Sequence, residues 1–345
     1  MDVRQSQSHE ENSLVAPTDE GFFTIVPALI ADVGATSVRF ALVGAEKGFQ
    51  RVRVLACEDY ATIQDAIWFY LEHELQLTNL QRVEAAALAV AGPVTDDRVT
   101  LTNHPWSFSI SQLRRHLAID RLHVVNDFTA VAIATPYLKP DECTQIGGGT
   151  ALAYAPIGVL GPGSGLGVSG VVPRASGWLP LSGEGGHITM APANARESAV
   201  LDHMRGRFDH VSAERVLSGP GLVNLYNTLA EIDGVPAASY TSAQITDLKM
   251  RDREPRCCEA VDMFCAMLGT VAGNLALTLG ALGGIYIAGG IVPKLGMVFA
   301  ESTFRERFED KGRLRPYLAR IPTYVVTHPF PAFVGLSTLL AGRAH

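Results

Sequence analysis

The sequence has few cysteines and little charge for its length. Five cysteines are scattered over 345 residues, none of them in a Cys-x-x-Cys pair, and charged residues make up 18% of the chain. Such a set of thiols favours free cysteines in a reducing compartment over a disulfide framework or a zinc site. A net charge of −7 and the lack of a dense Lys/Arg run argue against a nucleic-acid surface. We therefore expect a cytoplasmic protein that does not bind nucleic acid.

The sequence also has little that would place it in a membrane. No continuous apolar stretch follows a basic segment near residue 1, and residues 1–21 are polar, so we predict a mobile tail there rather than a signal peptide. Segment 263–281 is uncharged and has Gly269 and Gly273 at a G-x-x-x-G spacing. Asn274 lies within it, and Ala and Gly supply much of its apolar character. This pattern favours a buried helix packed closely through small residues, without a membrane partner.

Several common nucleotide-binding motifs are missing. The chain has no Gly-x-x-x-x-Gly-Lys-Ser/Thr and no His-Arg-Asp, which excludes P-loop proteins and protein kinases. The glycine-rich segment 161–167 reads Gly-x-Gly-x-Gly, and this spacing differs from the Gly-x-Gly-x-x-Gly of dinucleotide-binding folds.

The length and the apolar pattern predict an α/β protein of two domains with a cleft between them. A unit of strand, glycine turn and strand followed by helices occurs twice, without obvious sequence identity between the copies. We predict strands at two places within 22–43 and at 51–56, 85–91, 99–103, 123–125, 151–158, 167–173 and 284–288. We predict helices at 60–75, 109–117, 197–206, 213–218, 220–231 and 258–280.

Two segments combine several glycines with hydroxyl side chains. They are Asp32–Ser37 and Gly161–Gly167. Glycines let backbone N–H groups approach phosphates closely, and Thr36, Ser37 and Ser164 add hydroxyl donors. Asp32 is placed to hold Mg²⁺ through water molecules. One such segment alone can be a tight turn, but the presence of two favours a nucleotide site.

Polar side chains lie between and after these two segments. Asn126 and Asp127 follow a buried strand, at the end where α/β sheets bind their ligands. Glu184 and His187 lie on a glycine-rich turn and suit the hydroxyls of a polyhydroxylated ligand. A metal site at this turn is an alternative, as is a structural histidine, but no second histidine stands at ligand spacing. Two phosphate loops and a carboxylate together point to a kinase for a small molecule.

The chain resembles the bacterial glucokinases of the non-ROK type, members of the hexokinase and actin-like superfamily. The resemblance extends over about residues 28–335 and rests on seven segments in the same order. They are 32–39, 102–109, 126–130, 163–168, 183–187, 210–221 and 287–293. It implies two ribonuclease-H-like α/β domains, a small one of residues 22–137 plus 331–345 and a large one of residues 138–330. The resemblance also implies that the chain phosphorylates glucose in glycolysis, with ATP as the phosphoryl donor and Mg²⁺ as the metal ion. It further implies a homodimer.

The resemblance also implies roles for individual residues. Asp127 would take the proton of the 6-hydroxyl of glucose and Asp32 would serve Mg²⁺ through water. The implied sugar-binding residues are Asn126, Asp127, Glu184, His187 and Glu214, and Glu214 would otherwise be taken for a solvated or capping residue. The implied nucleotide-binding residues are Asp32, Gly34, Ala35, Thr36, Ser37, Gly163, Ser164, Gly165, Gly289 and Gly290.

The first loop departs from the family pattern, which commonly has Gly and Asn where this chain has Ala35 and Ser37. A Cβ at position 35 would be strained if the backbone there needs a positive φ. Three alternatives remain from the sequence. They are a kinase of the same fold for another hexose, a sugar-sensing regulator without catalysis, and an actin-like or Hsp70-like ATPase. The chain has neither the cysteine cluster nor the long N-terminal extension of such regulators, and an ATPase would not need Glu184 and His187.

Overall fold

The computed structural model describes residues 28–44, 48–78, 83–102 and 104–342. The tail predicted for residues 1–21 lies outside them. The strands are β1 Ala28–Val33, β2 Ser37–Val43, β3 Phe49–Ala56, β4 Ala85–Val90, β5 Arg98–Thr100, β6 Ser107–Ser109, β7 Arg121–Asn126, β8 Cys143–Ile146, β9 Ile157–Pro162, β10 Leu166–Arg174, β11 Gly177–Ser182, β12 Ile285–Ile287 and β13 Thr323–Val326.

The helices range from one turn to seven turns. They are α1 Ile63–Thr78, α2 Ile110–His116, α3 Asp127–Ala134, α4 Ala195–Arg205, α5 Gly219–Ile232, α6 Ser242–Ile245, α7 Leu248–Arg253, α8 Pro255–Leu279, α9 Val292–Leu295, α10 Met297–Ala300, α11 Phe304–Glu309, α12 Arg315–Ala319 and α13 Pro331–Leu340. No helix was predicted at α3, α6, α7 or α9–α12. Six of these have only four to six residues, too few for helical periodicity to show. In α3 every residue from Thr129 to Ala134 is buried, so its sequence shows no exposed face.

The first sheet has the strand order β3-β2-β1-β4-β7, with β1 antiparallel to β2 and parallel to β4. The side chains of β1 alternate between two cores: Leu29 and Ala31 pack on the side of α1, whereas Ala28 and Ile30 face α3 and α13. Every residue of β4 is buried, and four of the six are alanine. Small side chains on both faces let helices approach both sides of the sheet.

The second sheet has the order β11-β10-β9-β12-β13-β8 and repeats the pattern of the first. In each sheet an antiparallel run of three strands is followed by a strand parallel to the first of them. The predicted repeat of two related units is therefore confirmed. The strand predicted at 151–158 is wrong, because residues 151–154 are exposed and the strand begins at Ile157.

Gly161 was predicted to belong to a loop, but it lies in β9 and pairs with Gly167 of β10, the first residue of the strand predicted at 167–173. Their lack of a side chain makes room for the ring of Phe128. A Cβ on Gly167 would lie 1.8 Å from Phe128 Cδ2, and one on Gly161 would lie 2.8 Å from Phe128 Cε1. These two glycines therefore serve close packing of α3 against the second sheet, and the true turn is only Gly163–Gly165.

Helices α3 and α13 form a layer between the two sheets. α13 contacts α3, β1 and β4, while α3 also contacts β9, β10 and β11. The two helices approach so closely that a Cβ on Gly335 would lie 1.9 Å from the carbonyl oxygen of Ala130. This layer carries residue 127 between the sheets. The division into domains at 137/138 and 330/331 stays a prediction.

Helix α8 contains most of the uncharged segment 263–281, which resembles a membrane-spanning helix in length and composition. Of the helices in the described ranges, it alone is long and apolar enough to cross a bilayer, and 78% of its most apolar window is buried inside the protein. A Cβ on Gly269 would lie 2.3 Å from Phe304 O, and one on Gly273 would lie 2.6 Å from Phe308 O. The prediction of a buried helix packed through small residues is therefore confirmed, with α11 as the neighbour.

The helix predicted at 213–218 is wrong. Only Ala213–Arg215 form a turn of 3-10 helix, and α5 begins at Gly219. The Ser218 hydroxyl accepts from Gly221 N at 3.0 Å and caps α5, so the chain between 216 and 218 is a connection.

We expect Gly335→Ala to destabilise the protein, because the new methyl group overlaps the α3 backbone at Ala130. Overpacking of this kind costs about 1–3 kcal/mol of unfolding free energy. Urea unfolding followed by circular dichroism measures the change. Gly148→Ala is the matched control, since its Cβ meets nothing within 4 Å. Equal stability of the two variants would contradict the close crossing of α3 and α13.

Candidate active site

Asn126 ends β7 and caps α3. Its side-chain oxygen accepts from Phe128 N at 2.9 Å and from Thr129 N at 3.1 Å, and its amide donates to Gly92 O at 3.2 Å. These bonds satisfy two of the free N–H groups at the helix start. The other amide N–H of Asn126 has no partner among the described residues. The residue therefore fixes the direction in which the next side chain, Asp127, points.

Asp127 is the first residue of α3 and lies between the two sheets. Burial raises the pKa of its carboxyl to about 6; a hydrogen bond from Phe128 N opposes this shift, and the nearby carboxylates of Asp32 and Glu184 add to it. A carboxyl whose pKa lies close to neutral pH is suited to accept a proton. The three predicted acids are therefore brought together in space.

Asp32 lies on β1 directly opposite Arg39 of β2, and the two form an ion pair of 2.8 Å between Oδ2 and Nη1. Burial raises the pKa of Asp32 above its ordinary value even though the Arg39 guanidinium works in the opposite direction. Oδ1 of Asp32 has no hydrogen-bond partner among the described residues. Asp32 is also close enough to Asp127 for its charge to raise the pKa of the Asp127 carboxyl.

The donor set fits Mg²⁺ held through water better than a fully protein-coordinated ion. No group of three His, Cys, Asp or Glu side chains that could hold a metal occurs in the described part of the chain. Mg²⁺ commonly keeps several waters and uses one or two carboxylates together with substrate phosphates. Asp32, whose Oδ1 has no hydrogen-bond partner among the described residues and whose charge is felt by Asp127, offers that kind of donor.

The first glycine-rich loop is a tight turn between β1 and β2. Gly34 N donates to Ser37 O at 3.0 Å. Ala35 does not lie in the positive-φ region, so the strain that its Cβ was expected to cause does not arise. Ala35 and Thr36 line a cavity of about 270 Å³ together with Glu58 and His104. Sequence reasoning did not single out Glu58 or His104 for this place.

The second loop is closed by a hydrogen bond from Gly163 N to Gly165 O at 2.8 Å, and it exposes Ser164. Gly289 packs beside it. Gly289 has φ +82°, and a Cβ there would lie 2.4 Å from Pro162 O, so only glycine fits. The structure thus brings Gly289 and its exposed neighbour Gly290 to the second loop, while their place on the adenosine side stays a prediction.

The turn that carries Glu184 and His187 follows β11. Both side chains are exposed. The Thr129 hydroxyl lies 3.2 Å from that of Ser182, and this contact joins α3 to the strand end just before the turn. A Cβ on Gly186 would lie 1.9 Å from Leu166 O, so the turn lies directly against the start of β10. The predicted sugar-binding turn is therefore next to both Asp127 and the second loop.

Glu214 reaches the second loop from a distant part of the sequence. Its Oε2 accepts from Leu166 N at 2.8 Å. The segment that carries it is tied to the Glu184 turn by hydrogen bonds from Met190 N to Val211 O and from Ala213 N to Ile188 O. Only the family resemblance pointed to this residue.

His210 begins one of the segments that carry the family resemblance, but no role was predicted for it. Its Nε2 lies 3.0 Å from the carbonyl oxygen of His187, so it supports the turn from behind. A backbone contact of this kind leaves no pattern in the sequence.

We expect Asp127→Asn to raise the thermal stability of the unliganded protein at pH 8, because the native state then no longer holds a buried carboxylate. The native pKa of Asp127 lies above its unfolded value of 3.8, so the native state binds the proton more tightly. The destabilisation is present above pH 6 and disappears as the pH falls toward 4. Differential scanning fluorimetry at pH 8, 6 and 4 measures this trend.

The exposed carboxyl of Asp252 supplies the control for that series, since Asp252→Asn removes the same charge from the surface. A stability gain that is the same for both variants, or independent of pH, would contradict the burial of Asp127.

Comparison with known proteins places this geometry in a family. Residues 29–343 match the family described as Glucokinase. The glucokinase of Paramagnetospirillum magneticum is 52% identical and the alignment covers 90% of this chain and 97% of that protein. The glucokinase of Aromatoleum aromaticum is 49% identical over 91% of this chain and 94% of that protein. The chain spans about half the length (49%) of the Bifunctional protein glk of Paraburkholderia xenovorans, at 49% identity.

Solved structures agree with this assignment. The glucokinase from an Antarctic psychrotroph is 36% identical, with a TM-score of 0.82 over 92% of this chain and 99% of that chain. A ROK family glucokinase from Streptomyces griseus, solved with glucose and AMPPNP, is 18% identical with a TM-score of 0.61 over 91% of this chain and 98% of that chain. The latter likeness shows the fold alone. The predicted two-sheet α/β fold of the hexokinase and actin-like type is confirmed, and the chain belongs to the glucokinase family.

Proposed function

We propose that this chain transfers the γ-phosphoryl group of Mg-ATP to the 6-hydroxyl of glucose, with Asp127 as the general base. Membership of the glucokinase family supports the reaction and the sugar. The observation that supports the base is the position of Asp127, half-buried between the sheets at the start of α3 with a pKa raised to about 6. At neutral pH this carboxyl is ionised and ready to accept a proton.

The sugar site is formed by side chains that the fold gathers around Asp127. Glu184 and His187 are exposed on their turn, and Glu214 has one free carboxylate oxygen, Oε1, among the described residues. Carboxylates accept hydrogen bonds from sugar hydroxyls, and the remaining amide N–H of Asn126 donates one. Such a set recognises a polyhydroxylated ring and directs one hydroxyl toward Asp127.

The phosphates of ATP are bound by the backbone N–H groups and hydroxyls of the two loops. Gly34–Ser37 supplies one loop and Gly163–Gly165 the other, with Gly289 and Gly290 on the adenosine side. Asp32, paired with Arg39, would hold Mg²⁺ through water, and the ion neutralises charge on the phosphoryl oxygens when bound. Phosphoryl transfer passes through a loose transition state, so positioning and charge stabilisation supply most of the catalysis.

We also propose a cytoplasmic homodimer that binds neither nucleic acid nor membrane. Support for the dimer comes from the family resemblance alone. Light scattering of the purified chain tests it, since a monomer has a mass of 37.0 kDa.

Turnover with Mg-ATP across glucose, mannose, fructose and N-acetylglucosamine tests the proposed reaction. We expect strong turnover of glucose, and Asp127→Asn should lower kcat by about 10²- to 10⁴-fold, the usual contribution of a general base. The affinity for glucose, measured by calorimetry, should change only a few-fold, since the amide keeps the shape of the side chain. Asp252→Asn again serves as the surface control. Equal losses of kcat and glucose affinity, or preference for another hexose, would contradict the proposal.

The pH dependence of kcat/KM for glucose gives a second test. Asp127 must be ionised to act as a base, so kcat/KM should fall tenfold per pH unit below about pH 6. Initial rates between pH 5 and 8.5, with enzyme stability checked at each pH, measure the profile. A profile that is flat down to pH 5 would rule out a base with the environment of Asp127.

A further inference from the structure

Glu214 contacts the second phosphate loop directly. Its Oε2 accepts from Leu166 N at 2.8 Å, and Leu166 is the first residue after the turn Gly163–Gly165. The contact is tight, since a Cβ on Gly165 would lie 2.4 Å from the same oxygen. The carboxylate therefore fixes the end of the loop that the proposed function assigns to the phosphates of ATP.

The segment around Glu214 also holds the other end of this loop. Gly219 N donates to Gly163 O at 2.8 Å, and the Ser218 hydroxyl donates to the Glu214 carbonyl oxygen at 2.8 Å. Segment 214–219 thus brackets the loop at Gly163 and at Leu166. The loop conformation depends on the position of this segment.

The same segment is joined to the sugar-binding turn on its other side. Ala213 N donates to Ile188 O at 2.8 Å, and Met190 N donates to Val211 O at 3.0 Å. His210 adds a contact to the His187 carbonyl oxygen. One short stretch of chain, 210–219, therefore touches both substrate sites.

We propose that Glu214 couples the two substrate sites, with Oε1 directed to the sugar while Oε2 holds the second phosphate loop in its binding conformation. This inference rests on the proposed function, because it assigns sugar to one side of Glu214 and ATP to the other. A sugar hydroxyl bound to Oε1 restricts the motion of the carboxylate and, through Oε2, that of the second loop. The loop therefore loses part of its conformational entropy when the sugar binds, and ATP binding has less ordering left to do. Each substrate then tightens binding of the other by the same factor. This coupling is carried by the side chain of Glu214 and acts in addition to any closure of the cleft between the two domains.

Two glycines of the same loop provide a matched pair of variants. In Gly165→Ala the new methyl overlaps Oε2, the mobile end of a side chain, and so displaces the carboxylate from Leu166 N without removing it. In Gly163→Ala the new methyl meets nothing within 4 Å. Neither glycine has a positive φ, so alanine fits both backbones. Both variants add one methyl group, but only one of them breaks the link.

The measured quantity is the Kd of Mg-AMPPNP, obtained by calorimetry with and without saturating glucose. We expect the wild-type Kd to fall at least about fivefold when glucose is present, the lower end of usual coupling between sites. Gly165→Ala should reduce this ratio to less than about twofold, while Gly163→Ala should keep the wild-type ratio even if its absolute affinities shift. The Kd of glucose with and without nucleotide must show the same ratios.

Glu214→Gln is the second variant, in case Gly165→Ala disturbs the fold. In the amide one of the two carboxylate oxygens is replaced by an NH₂ group that only donates, so an acceptor oxygen can be presented to the sugar or to Leu166 N but not to both. The coupling ratio should fall toward one in this variant as well. A merely structural role for Glu214 would change stability and absolute affinities but leave the ratio intact.

The inference is overturned if the wild type shows no coupling, or if Gly165→Ala and Glu214→Gln both keep the wild-type ratio. These outcomes are distinct from failure of the proposed function, in which the wild type does not phosphorylate glucose. A wild type that turns over glucose while its variants keep the full ratio would refute only the coupling through Glu214.

Discussion

The packing of α3 between the two sheets is the constraint on which the rest of the structure depends. The ring of Phe128 occupies the space that Gly161 and Gly167 leave in the second sheet, and Gly335 lets α13 press against the other side of the helix at Ala130. Three glycines thus hold one short helix in place. The residue at its start, Asp127, is thereby fixed between the sheets.

Burial at this position has an electrostatic consequence. A carboxylate removed from water and placed near Asp32 and Glu184 holds its proton more tightly than usual, even with the Phe128 N–H donating to it. Arg39 compensates part of the negative charge through its pair with Asp32. The remaining excess of negative charge suits a site that binds a divalent cation. The same excess makes the unliganded protein less stable than a variant without one of these carboxylates would be. Stability is therefore lowered at the residue that we propose as the general base.

The sequence was sufficient for much of the fold and for part of the site. Buried strands such as β4 and the capped helix α2 showed in local patterns, and Asp127 was predicted as a site residue because it follows a buried strand. Gly161 was misplaced in a loop, because a glycine that makes room for a distant aromatic ring looks the same in sequence as one that makes a turn. Whether a Cβ at position 35 is strained depended on a backbone angle that the residue type alone does not determine.

Contacts between distant segments were beyond reach of local patterns. The role of Glu214 toward Leu166 and that of His210 toward His187 each join parts of the chain that only the folded structure brings together. The most direct test of the whole account is the titration of the Asp127 carboxyl in the free protein. It can be followed by ¹³C NMR, with its resonance assigned by comparison with Asp127→Asn. The account predicts a midpoint of about 6; a midpoint close to the ordinary value of 3.8 would show that Asp127 is neither buried between the sheets nor poised as the base.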